Sequence, residues 1–286
     1  MADKTKKKQG LGSRIVFWLA AIVLVVCLAL LALFGLQYCI QSKNYDDLTE
    51  FAHIEEDKLV DLNSLTVDWA SLKQRNPDIV AWIYVPGTVI NYPVVQGRDN
   101  DEYLHRGFDG QTGFFASKGT IFLDATNDPD FKDRNNVLYG HHMNDGSMFA
   151  AMAGWYDTKL FNENRSVYVL TPEGNYRCET FAYVRTVASD QIVKTQFATD
   201  ESYAEYVQDK LNRSLAEQQG VVLSATDVKQ SFMFSTCEYT NNDGRAVVFA
   251  AVVETTVKDD PWVTASAGTS MTDVTESEAE GLKQAA

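Results

Sequence analysis

Cys237 and Arg245 stand eight residues apart in QSFMFSTCEYTNNDGRAVVFAAVVE, on either side of an Asn-Asn-Asp-Gly run. Asn, Asp and Gly accept the backbone of tight turns, and the flanking runs are rich in β-branched and aromatic residues, so the segment predicts a hairpin. Such a hairpin places a thiol at the end of one strand and a guanidinium at the start of the next. A thiol is a weak nucleophile near neutral pH until a base or a positive neighbour supplies the thiolate, and a guanidinium keeps its charge and can hold an oxyanion. The same spacing also fits a buried cysteine and an arginine paired with a surface acid.

A thiol needs a proton partner, and the chain offers four histidines. His53 falls in a charged, helix-compatible stretch and His105 in the polar loop EYLHRGF, where solvated roles suffice. His141 and His142 follow the apolar run NNVLYG. In an extended chain neighbouring side chains point to opposite faces, so only one of this pair can serve a given site, and His141, directly after Gly140, is the candidate. Zinc is the rival explanation for histidines and a cysteine. It wants clustered ligands such as C-x2-C, and here the other ligands are scattered, so neither a metal nor a cofactor is expected. Cys27 and Cys39 lie in or beside an apolar run and Cys178 in a strand-like one, which argues against a disulfide framework and makes Cys178 a buried small hydrophobe.

These groups need a scaffold. Short strand-like runs are expected at 119–123, 136–139, 166–170, 176–189, 230–237 and 245–257, after two more in AWIYVPGTVINYPVVQG. Closely spaced strands without regular βαβ alternation point to a mainly antiparallel sheet or closed barrel. Helices are expected at 67–75, stopped by Asn76-Pro77, at 148–155, and at 202–219, where Tyr203, Tyr206, Val207, Leu211 and Leu215 share a face between a Thr199-Asp200 cap and Gly220.

The 286 residues suffice for one core with appendages. The 25 basic and 39 acidic side chains are unevenly spread: residues 1–14 hold five of the bases and one acid, leaving 20 bases against 38 acids beyond them. An acidic body repels phosphate backbones, which excludes nucleic acid as a partner. Residues 15–36 form 22 positions without a charge, and at about 1.5 Å each a helix of that length crosses a hydrocarbon core of about 30 Å. The run is longer than a signal-peptide core of about 7–15 residues and has no good cleavage site, so an uncleaved anchor is expected, with its basic end inside. The resulting expectation is a basic cytoplasmic tail at 1–14, a spanning anchor at 15–36, a helical stalk at 37–66 that carries Tyr45, Leu48, Ala52 and Leu59 at helical steps, an exported domain at 67–258, and a disordered acidic tail at 259–286.

FSTCEYTNNDGR resembles the sortase signature, in which a Thr-Cys pair precedes an essential arginine, and NNVLYGHHM resembles the strand that presents the family's histidine. DWASLKQRNPDIVAWIYVPGTVINYPVVQ and GTIFLD resemble the lead-in helix and first strands, so the likeness spans 67–257. It implies a sortase-type closed or near-closed β-barrel with an N-terminal helical lead-in and a long helix between late strands, most like class B. By the same resemblance Cys237 is the nucleophile, His141 the proton partner and Arg245 the oxyanion holder, with Asp124, Thr236 and Glu238 near substrate. The implied reaction cleaves the sorting signal of a surface protein through a thioester and transfers it to an amine of the cell wall. A lysine of a pilin subunit is an alternative acceptor. A plain cysteine peptidase of the papain kind is disfavoured by chain order, since its cysteine comes first and opens a helix. A non-catalytic surface module, with Cys237 merely buried, remains the alternative from another class.

Overall fold

The computed structural model describes residues 11–54, 61–187, 189–238 and 243–264. The chain divides into two compact units, Met1–Asp46 and Asp47–Ala286. Helix α1 (Leu11–Thr49) fills the described part of the first and continues without a break into the start of the second. Its segment Arg14–Thr49 is long and apolar enough to cross a membrane. The stalk expected to stay helical instead turns after Thr49, and β1 (Ala52–His53) pairs with β2 (Thr66–Val67), leaving His53 exposed. Leu59 lies outside the described residues. Helix α2 (Trp69–Arg75) starts where the Asp68 carboxylate accepts the Ser71 amide at 3.0 Å, and it stops before Pro77 as the sequence predicts.

Eight strands close a barrel: β3 (Ile79–Tyr84), β4 (Asn91–Val95), β5 (Ile121–Leu123), β6 (Asn135–Tyr139), β7 (Ser166–Thr171), β8 (Gly174–Val187), β9 (Ser231–Glu238) and β10 (Gly244–Thr255). Their order around the barrel is β10-β8-β7-β3-β4-β5-β6-β9, with β9 returning to β10. The neighbours are antiparallel except β4 with β5 and β6 with β9. The strands fall within two residues of where β-branched and aromatic density puts them, because each is buried on a barrel whose two faces are both largely covered.

Helix α4 (Asp200–Arg213) covers one face. Thr199 and Ser202 form a reciprocal cap at its start. It ends well short of the expected 219, because the Ser214 hydroxyl accepts the Tyr183 amide at 3.1 Å and the Leu215 amide donates to the Tyr183 carbonyl at 2.8 Å. Capture by β8 overrides helical propensity, and Leu215 is left exposed instead of extending the apolar face. The expected helix at 148–155 is a 3-10 turn, Ala150–Gly154, followed by α3 (Thr158–Glu163), whose Asp157 cap the sequence reading passed over.

The chain stays packed past residue 258. The Asp260 carboxylate accepts the Tyr176 hydroxyl at 3.1 Å, and the Trp262 indole donates to the Lys132 carbonyl at 2.8 Å while its ring lies 4.0 Å from the Arg134 guanidinium. The remainder of the expected tail, 265–286, lies outside the described residues. Cys178 is fully buried between Val167 and Val252 in the ladder, and burial pushes its thiol far up, as suits an inert small hydrophobe.

Candidate active site

The ladder between β9 and β10 sets position 237 directly opposite Arg245, with Thr236 opposite Ala246 and Glu238 opposite Gly244. Alternation along these strands separates two faces. Val137 of β6, Met233 of β9, and Val247 and Phe249 of β10 pack with Tyr203 and Val207 of α4, so this is the outer face of the barrel. Phe232 and Phe234, their rings stacked with centroids 6.3 Å apart, belong to the inner face. The register assigns 139, 235 and 245 to the outer face and 236 to the inner. Thr236 is accordingly only 3% exposed, and its hydroxyl is buried without a partner among the described residues.

Arg245 is half-buried. Its Nη1 donates to the Gly244 carbonyl at 3.1 Å. Its charge is felt by Tyr139, a neighbour the sequence reading did not single out. Burial, then the Asp124 carboxylate, pushes the Tyr139 phenol far up, and Arg245 pulls it down. The Tyr139 hydroxyl donates to Asp124 at 3.0 Å. Asp124 is itself buried and accepts from Asn100 at 2.9 Å and from the amide and hydroxyl of Thr126. Burial raises its pKa, but these bonds to the charged form outweigh it and hold the carboxyl below its ordinary range. Asp124 thus ties a loop to Tyr139.

The parallel pairing of β6 with β9 brings the ends of both strands to one rim. The Gly140 amide donates to the Ser235 carbonyl at 3.1 Å, two positions before Cys237. A Cβ at Gly140 would lie 2.7 Å from the Phe149 ring, so the chain passes the inner face here only as glycine. His141 follows and returns to the side of Tyr139. Its Nε2 lies 2.7 Å from the Leu104 carbonyl, and its ring centroid is 6.3 Å from that of exposed His105. His142 goes the other way. It lines a separate cavity of about 560 Å³ with Gly87, Val89, Trp155 and Leu160. The alternation expected from an extended chain is therefore what separates the adjacent histidines.

No group of three or more His, Cys, Asp or Glu side chains among the described residues is placed to hold a metal ion. Position 237, Arg245 opposite it in the ladder, and the end of β6 that leads to His141 fall along one rim of the barrel. That constellation suits acyl transfer by a thiolate.

The sortase domain model matches residues 83–253. This chain belongs to the sortase family. It is similar to Sortase B of Staphylococcus aureus, with 28% identity over 242 residues that cover 82% of this chain and 96% of the relative. The crystal structure of Clostridium perfringens sortase B superposes with a TM-score of 0.60 at 34% identity, covering 65% of this chain and 99% of that one. A Staphylococcus aureus sortase B–substrate complex does so with a TM-score of 0.64 at 26% identity, covering 76% and 98%. The sortase is thus of class B and a cysteine transpeptidase by family.

Proposed function

We propose that this sortase is a single-pass membrane protein with its barrel outside the cell, and that it joins surface proteins to an amine of the cell wall. The spanning helix, with basic residues crowded at its N-terminal flank, supports that orientation. The observation that carries the chemistry is the strand register, which sets Cys237 opposite Arg245 and delivers the end of β6, with His141, to the same rim.

In the first step the Cys237 thiolate attacks a backbone carbonyl of the sorting signal. Arg245 holds the resulting oxyanion, a contact whose loss typically costs about 2.7–4 kcal/mol of barrier. His141 in its protonated form gives a proton to the departing amine, and a thioester remains. In the second step an incoming amine gives a proton to His141 and attacks the thioester carbonyl, releasing the product and the thiolate. Imidazole suits both directions because it gains and loses a proton near neutrality. Arg245→Lys is expected to fail, since a single ammonium does not reproduce the planar set of donors.

The test incubates the full-length protein in detergent with a library of candidate signal peptides and two competing amines, a wall-type glycyl amine and a lysine side-chain amine. Mass spectrometry of the products is expected to find a joined product with the glycyl amine. Preference for the lysine amine would move the enzyme to pilus assembly, hydrolysis alone would make it a peptidase, and no product from any peptide would sink the reading.

A further inference from the structure

The imidazole of His141 sits in a slot made by two backbone segments. On one side runs 103–104, whose Leu104 carbonyl meets Nε2 at 2.7 Å. On the other runs 118–120, tied to the first by the Thr120 amide, which donates to the Tyr103 carbonyl at 3.0 Å. Gly119 lies between them with φ +56°, a left-handed conformation that favours glycine. A Cβ there would stand 2.7 Å from the Leu104 oxygen, 2.8 Å from the Tyr103 oxygen and 3.0 Å from Cδ2 of the His141 ring. Two of these atoms are rigid backbone of the slot wall, and the third belongs to the ring that the slot holds. The slot is also braced at its rim: the Lys118 ammonium, nearly buried, meets the Asp145 carboxylate at 2.8 Å and ties the glycine's segment to the loop that follows the histidines. The Phe149 amide, donating to the His141 carbonyl at 3.0 Å, fixes the backbone behind the ring.

A carbonyl oxygen can only accept, so the nitrogen facing Leu104 must carry the hydrogen. We infer that Gly119 is a positioning residue: by leaving the slot open it lets the Leu104 carbonyl hold His141 as the Nε2–H tautomer, so that Nδ1 alone exchanges the catalytic proton. This rests on the reading of His141 as the proton partner. During acylation the imidazolium gives its Nδ1 proton to the departing amine nitrogen and becomes neutral with Nε2–H still bonded to Leu104. During transfer the Nδ1 lone pair takes the proton of the incoming amine, and the ring returns to imidazolium. Neither step disturbs the bond that orients the ring.

The test uses the full-length protein in detergent, labelled with ¹⁵N-histidine. With four histidines in the chain, assignment needs only their single replacements. At a pH where the rings are neutral, the wild-type His141 signal is expected to be that of the Nε2–H tautomer. Gly119→Ala is compared with Gly146→Ala, which also puts an L residue at positive φ, +82°, but has nothing within 4 Å of the added carbon. Backbone strain is common to both variants; intrusion on the slot belongs to the first. Gly119→Ala is expected to lose the single-tautomer signal and to drop kcat roughly 10–100-fold with KM little changed, the size a small misplacement of a reacting group produces. Gly146→Ala is expected to keep both. An Nδ1–H tautomer in the wild type, or equal kcat in the two variants, overturns the inference. The wild-type spectrum decides even where Gly119→Ala does not fold. Because it needs no substrate, its outcome is separate from whether the protein transfers sorting signals.

Discussion

Arg245 and His141 reach the same rim by different means. Arg245 is a rung of an unbroken ladder, opposite position 237, and its place follows from strand pairing alone. His141 lies past the last rung of β6 and is held by a carbonyl from one loop, a glycine from another and an amide from a third. A ladder is local, repetitive and tolerant of side-chain change; a slot built from loops depends on each contributor. The proposed nucleophile, Cys237, and its proposed oxyanion partner, Arg245, should therefore respond to substitution only through their own chemistry, while His141 should also respond to changes in residues that never touch substrate.

Cys237→Ala is the sharpest cut: joined product is expected to vanish while the melting temperature stays near wild type, because the ladder does not need the sulfur. His141→Gln is expected to cost about 10²–10⁴-fold in kcat, the range of a lost acid–base group, whereas His142→Gln, on the other face, should leave kcat nearly unchanged. Equal losses in the two would erase the distinction drawn from strand alternation. Arg245→Lys is expected to lower kcat by about 10²–10³-fold with no loss of stability, read from steady-state rates and a thermal melt on the same sample. The smallest expected effect belongs to Asp124→Asn, a change to the loop that supports Tyr139 beside Arg245. Since the folded state holds the Asp124 carboxyl below its ordinary range, its contribution is present above the unfolded value near 3.8 and is lost as pH falls through the lower, folded one. The variant should thus be about 1–3 kcal/mol less stable than wild type at neutral pH, a gap that narrows in acid; a gap independent of pH would mean that the carboxylate charge is not what Asn100, Thr126 and Tyr139 hold.

The ladder half of this contrast was legible in the sequence. Turn residues between two β-rich runs are a local signal, and they put Cys237 and Arg245 in one hairpin without any knowledge of the rest. Alternation assigned His141 and His142 to different sides for the same reason. What the sequence did not disclose is non-local. Nothing in YLHRGF or SKGTIF says that the Leu104 carbonyl and Gly119 will flank His141, and nothing in IFLD says that Asp124 will face Tyr139 and not a substrate. The early end of α4 at Arg213 has the same origin, since the groups on Tyr183 that capture Ser214 and Leu215 are some thirty positions away. Asp157 before α3 was a readable cap, passed over because a six-residue helix shows too little periodicity to be noticed.

The parallel pairing of β6 with β9 joins Asn135 to Ser231, 96 positions apart, and the rim exists only once that pair has formed. Contacts of such span close late in folding, after the entropy of a long loop has been overcome. Until the barrel shuts, the strand end that carries Cys237 and the one that leads to His141 are therefore not yet side by side. Regained turnover after dilution from denaturant should lag behind the return of helix and strand signals.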